Sequence, residues 1–235
     1  MLEPLYRIDI KCPVCENSFK TSKVRPSFKK SLSSESDFFN KYKDINPDFY
    51  IVRVCPFCGY SSTENFENRL TGEMLTAFAG KVSANWSQRD FGQERSWDEA
   101  LQTLKLGLIC AQIAEEKDRV IAGLLHHIAW RYRERGDKGQ ELRFLQFALE
   151  AYIKVYELEA ENVNNARLMY LIGELNRRVK KYYDAVKWFS RVIHDKKIVD
   201  GGMIRASKEQ WMLTRQEMIA AKLELPEEMK EDAHP

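Results

Sequence analysis

The chain has 235 residues, 44% of them hydrophobic, which is enough for one large core or two modest ones. With 37 Lys and Arg against 35 Asp and Glu the formal charge is +2, so the molecule as a whole is not a strongly basic nucleic-acid binder. No apolar run approaches bilayer length and the first residues lack a signal-peptide pattern, so a cytoplasmic protein without membrane contact is expected.

Residues 1–63 read as a small β module organised by cysteine pairs. Tyr6 to Ile10 alternate apolar and polar side chains, the period of a half-buried strand, and lead into Cys12 and Cys15 in CPVC. Residues 18–24 read as the return strand, with Asn17 tolerating a left-handed backbone at the turn. Residues 49–54 (FYIVRV) repeat the plan and lead into Cys55 and Cys58 in CPFCG. Four thiolates in two C-x-x-C pairs fill the tetrahedral shell of Zn²⁺, which predicts one structural zinc per chain on Cys12, Cys15, Cys55 and Cys58. A closed sulfur shell leaves no open position for water, so metal catalysis is not expected. A fifth cysteine, Cys110, lies in an apolar stripe and reads as an inert core residue.

The paired knuckles resemble a zinc ribbon over about residues 5–63. Thirty-nine residues separate Cys15 from Cys55, against roughly 15–20 in the compact form. Residues 26–48 are therefore an insertion, expected as a loop with a short helix at 37–42. Within and before it, Lys20, Lys23, Arg25, Lys29 and Lys30 occur without an intervening acid, near Phe19 and Phe28. That combination suits nucleic-acid phosphates with base stacking, the alternative to a protein partner.

From residue 64 helical spacing takes over. Phe66, Leu70, Met74, Leu75 and Phe78 share one stripe, predicting a connecting helix, and residues 80–95 read as a linker. Ser96 and Glu99 form a capping box that opens a helical domain over residues 96–225. Three segments repeat within it, making Ala100, Glu141 and Ala185 equivalent; in the partner helices Ala129 and Gly173 correspond, 44 residues apart. A last helix over 206–223 would cap the array and residues 226–235 would form a flexible tail. The expected class is α+β, mostly α: a zinc-ribbon-like module followed by an antiparallel helical array.

These helix pairs resemble tetratricopeptide repeats, with Gly173, Ala185 and Phe189 at the motif spacing and Ala129, Tyr132, Gly136 and Ala148 in the preceding pair. The resemblance implies a concave peptide-binding face, and position by position it places His126, Trp130, Arg133, Tyr170, Glu174 and Arg177 on that face. An acidic or C-terminal peptide is the expected ligand, because Arg forks pair carboxylates and aromatic faces add apolar contact. None of the common hydrolase or nucleotide-binding motifs is present, and His126 and His127 are neighbours about 100° apart on a helix, so a non-enzymatic adaptor is expected. Knuckles plus repeat-like helices also resemble a family of uncharacterised bacterial proteins catalogued as a domain of unknown function, which implies a fold and no activity.

Overall fold

The computed structural model describes residues 2–159 and 165–230. Among these residues six strands form three antiparallel two-stranded sheets: β1 (Leu5–Lys11) with β2 (Ser18–Val24), β3 (Ser31–Ser34) with β4 (Asn40–Tyr42), and β5 (Arg53–Val54) with β6 (Ser61–Ser62). The helices follow: α1 (Gly72–Lys81), α2 (Trp97–Ile113), α3 (Asp118–Arg135), α4 (Lys138–Glu159), α5 (Ala166–Arg178), α6 (Tyr182–His194), α7 (Gly201–Ala220) and α8 (Glu227–Lys230). The chain is α+β and mostly α, as its patterning predicts.

Two compact units are present. The first holds residues 1–34 and 39–144; the second holds residues 35–38 and 145–235. Four residues of the insertion thus belong to the second unit. In the first unit, one core cluster gathers Cys12, Cys55, Cys58 and Tyr60 with Phe78, Val82, Cys110 and Ile113. A second joins Val52 and Val54 to Leu101, Leu104, Leu124 and Ile128 of α2 and α3. The capping box closes as expected: Glu99 N donates to Ser96 Oγ at 3.2 Å, and Ser96 N to Glu99 Oε2 at 2.9 Å. In the second unit, α5 packs on α6 and α6 on α7. At Gly173 a β-carbon would lie 2.8 Å from the Phe189 ring, so only glycine permits this approach of α5 to α6.

Several local expectations are corrected. Residues 37–42 do not form a helix; 40–42 are strand β4, because pairing with β3 satisfies their backbone. Residues 47–50 form a 3-10 turn, with Pro47 in its first turn and the Asn46 side chain accepting from Asp48 N at 2.9 Å, so the second strand shrinks to Arg53–Val54. Phe66 and Leu70 pack beside the cysteine cluster as expected, but not on a helix. The buried Glu116 accepts from Glu67 N and Asn68 N at 3.1 and 2.9 Å, and Asn68 donates to the carbonyls of Ala114 and Glu115. That tertiary clasp holds the segment extended, and α1 starts only at Gly72. The capping helix runs Gly201–Ala220. Residues 227–230 of the expected tail form α8, where Met229 is fully buried; residues 231–235 lie outside the described ones.

Candidate metal centre

Each knuckle is built by the same backbone device. Glu16 N donates to Cys12 O and Gly59 N to Cys55 O, both at 3.0 Å. Cys12 N then donates to Asn17 O at 3.0 Å, and Cys55 N to Tyr60 O at 2.8 Å. Each turn needs one left-handed residue directly after its second cysteine, Glu16 at φ 59° and Gly59 at φ 77°. The left-handed position in the first knuckle is therefore Glu16 and not Asn17; Asn17 instead donates through Nδ2 to Cys15 Sγ at 3.5 Å. Gly59 has a second constraint. A β-carbon there would lie 2.7 Å from the Trp86 ring, and Trp86 Nε1 donates to Pro56 O at 2.8 Å, so the indole lies flat on the second knuckle.

The two turns bring four sulfurs together. Cys12 and Cys58 Sγ are 3.7 Å apart, Cys15 and Cys55 Sγ 3.6 Å, and all four lie within 4.8 Å of one another. Tetrahedral Zn–S bonds of about 2.3 Å require sulfurs about 3.8 Å apart, so the donor set and its spacing fit a metal ion of that kind. Left to themselves, thiols this close compete for protons. Cys12 is lowered to about 5 because the Cys58 thiol and the backbone of its own turn stabilise its thiolate. Cys55 is pushed to about 11 by burial, and Cys58 upward by its bond to Cys12 and by burial. A divalent cation resolves this conflict by favouring all four thiolates at once.

Cys110 is fully buried behind the cluster, where its sulfur accepts from Ser61 N at 3.4 Å and burial pushes its thiol up to about 11. It supports β6 and is a poor nucleophile.

The residues expected on a peptide-binding face are placed less openly. His126 and Trp130 are buried in the first unit, where Trp130 packs on Phe39 with ring centroids 5.8 Å apart. Arg133 bonds Glu141 at 2.6 Å, which accounts for Glu where the repeat pattern has Ala. In the second unit Tyr170 and Glu174 are buried beneath residues 35–38. Tyr170 Oη donates to Ser36 O at 2.8 Å and Ser36 Oγ to Glu174 Oε1 at 2.6 Å. Arg177 is held by Glu174 and by Glu217, at 2.8 and 2.6 Å. Within each unit, then, residues of the insertion lie on part of the expected face: Phe39 against Trp130 in the first, and residues 35–38 against Tyr170 and Glu174 in the second. Sequence reasoning counted Arg178 only within the basic run Arg177, Arg178, Lys180 and Lys181 that adds positive charge at one end of the face, and it missed Arg167. Arg178 lies 3.4 Å from both Glu35 and Asp37, and the Arg167 guanidinium stands 4.0 Å over the Phe38 ring. That run, at the end of α5, is the signal for Arg178, whereas Arg167 stands alone in the first turn of α5.

The basic stretch has changed partners too. Phe19 is buried beside the cysteines and unavailable for base stacking. Lys23 pairs with Glu64, and Arg25 donates to Glu3 O while lying over Tyr6. No helix among the described residues is long and apolar enough to cross a membrane.

A family model described as an uncharacterized protein conserved in bacteria (DUF2225) matches residues 5–214, from the first strand into α7. The chain belongs to that family. The matched span includes both knuckles, the insertion and the helices that hold residues 35–38. No curated protein and no solved structure matches it.

Proposed function

We propose that the chain is a zinc-stapled, non-enzymatic interaction protein whose tetratricopeptide-like helices recognise a short acidic and aromatic segment of a partner protein in the cytoplasm. Four soft thiolates at tetrahedral spacing favour zinc among the common divalent ions, and a shell filled by sulfur makes its role structural. The observation that carries the recognition reading is the contact set of residues 35–38 in the second unit. Two carboxylates of Glu35-Ser36-Asp37-Phe38 face Arg178, the Ser36 backbone receives the Tyr170 hydroxyl, and Phe38 lies under Arg167 and 5.6 Å from the Tyr170 ring. This is the chemistry by which an acidic peptide would be read, and the chain supplies the peptide itself. A partner with a similar segment would compete with residues 35–38. The nucleic-acid reading retains its cations but loses the Phe19 stacking platform.

The test empties the surface in the full chain with Ser36→Gly, Asp37→Ser and Phe38→Gly, then titrates a labelled peptide spanning residues 32–40. The emptied chain should bind one peptide, the wild type none, and Arg178→Glu added to the emptied chain should abolish binding. No binding to the emptied chain at about 1 mM, or binding indifferent to Arg178→Glu, would overturn the reading.

A further inference from the structure

The first unit contains a cavity of about 350 Å³ that neither the metal centre nor the residues 35–38 use. It opens between the strand pair β1–β2, the turn at residues 47–51, the segment at 63–65 and the first turns of α3. Its volume is at the small end of ligand pockets, about 300–1,000 Å³, which suits one small molecule and not a polymer.

The lining has a definite sign. Lys23, Lys29, Arg53 and Arg119 contribute positive charge, against Glu64 as the one carboxylate. Glu64 is paired with Lys23. Arg53, on the wall, donates through Nη2 to Thr63 O at 2.7 Å, yet its buried Nε–H finds no acceptor among the described residues. The Nδ1 of His127 is likewise buried without a hydrogen bond, 3.7 Å from an Asp48 carboxylate oxygen. Buried polar atoms left unmet are costly, so both are places where a ligand atom would be welcome. Tyr6 and Tyr50 add aromatic surface on the wall.

Gly123 gives an independent indication. It lies inside α3, where glycine is less favourable than alanine. A β-carbon there would meet no atom within 4 Å, so no neighbour demands its absence. Gly123 lines the cavity, and the space its side chain would enter is the cavity itself.

We propose that this cavity binds a small phosphate-bearing molecule, its anionic group held by Arg53, Lys29 and Arg119 and its remainder against Tyr6 and Tyr50. A phosphate is favoured over a single carboxylate because it carries up to two charges and several acceptor oxygens, matching a cluster of cations with a spare Nε–H donor. The missing side chain at residue 123 keeps the floor open.

Calorimetric titration of the zinc-loaded full chain with inorganic phosphate, phenyl phosphate and benzoate at fixed ionic strength tests this. Phenyl phosphate should bind one per chain and at least about tenfold more tightly than benzoate, weakening as salt rises. Phosphate binding as well as phenyl phosphate would identify a free phosphate as the ligand; weaker phosphate binding would identify an organic one. Gly123→Leu should abolish binding while melting no lower than wild type, since it removes a helical glycine, and Gly123→Ala should retain binding. Lys29→Glu, at the exposed rim, should weaken binding about tenfold without lowering the melting temperature. No heat with either phosphate compound, equal affinity for benzoate, or undiminished binding by a folded Gly123→Leu chain would overturn the assignment.

Discussion

His127 shows how one side chain can couple burial to pH. Burial lowers its imidazole to about 4, with Asp48 opposing and the charges of Arg131 and His126 assisting. The unfolded chain, with an ordinary value near 6.5, therefore binds more protons between pH 6.5 and 4, and stability present above 6.5 is lost as pH falls through that window. The shift corresponds to at most about 3 kcal/mol, and with 23% of the side chain exposed about 1–2 kcal/mol is expected. Urea denaturation at pH 7 and pH 4.5 should show wild type losing that much more stability than His127→Gln. Parallel losses in the two proteins would refute the coupling. Loss at acid pH of any metal that the cysteines hold is common to both and cancels.

At the scale of elements, the best-read parts are those whose geometry is set by adjacent residues. The C-P-x-C turns, the capping box of α2 and Gly173 against Phe189 all follow from local chemistry. Residues 49–52 read as strand because their apolar, partly β-branched sequence has strand character, whereas Pro47 and a distant arginine decide the backbone. Arg95 is 5% exposed and donates from Nη1 to Phe49 O at 2.7 Å and to Val52 O at 2.9 Å, while its Nε donates to Phe91 O at 2.8 Å. It crosses from beyond α1 to shape the turn that precedes the second knuckle, and nothing near residue 49 announces it. Arg95→Met should leave these carbonyls unpaired and cost about 3 kcal/mol in chemical denaturation. A cost under about 1 kcal/mol would mean that the turn holds itself. Glu116 is a similar case, a buried carboxylate that fixes residues 67 and 68 from the end of α2. Long-range polar clasps of this kind leave no periodic trace in a sequence.

For the whole molecule, a metal held by the four cysteines would stabilise only the part of the chain whose core the cysteines share. The cysteine cluster shares its core with α1 and the end of α2, whereas α5, α6 and α7 have separate clusters around Phe189, Trp211 and Val192. Chelation of a structural zinc should therefore act unevenly. The purified chain is expected to hold about one zinc, and Cys55→Ser to lose it. After chelation, hydrogen exchange should accelerate in the knuckles, α1 and α2 while α5–α7 keep their protection. Uniform acceleration, or none in α1, would show that the metal does not divide stability in this way.

Residues 35–38 have one more consequence, in time. Ser36 and its partner Arg178 are 142 residues apart, bonded at 3.0 Å. At about 5–20 residues per second, a ribosome that has made Ser36 needs roughly 7–30 s to make Arg178. Early in that interval the N-terminal module becomes complete in sequence, while until its end the Glu-Ser-Asp-Phe tip has no docking site. Two acids and one serine in that stretch keep it hydrated during the wait, and the tip can dock only once α5 emerges.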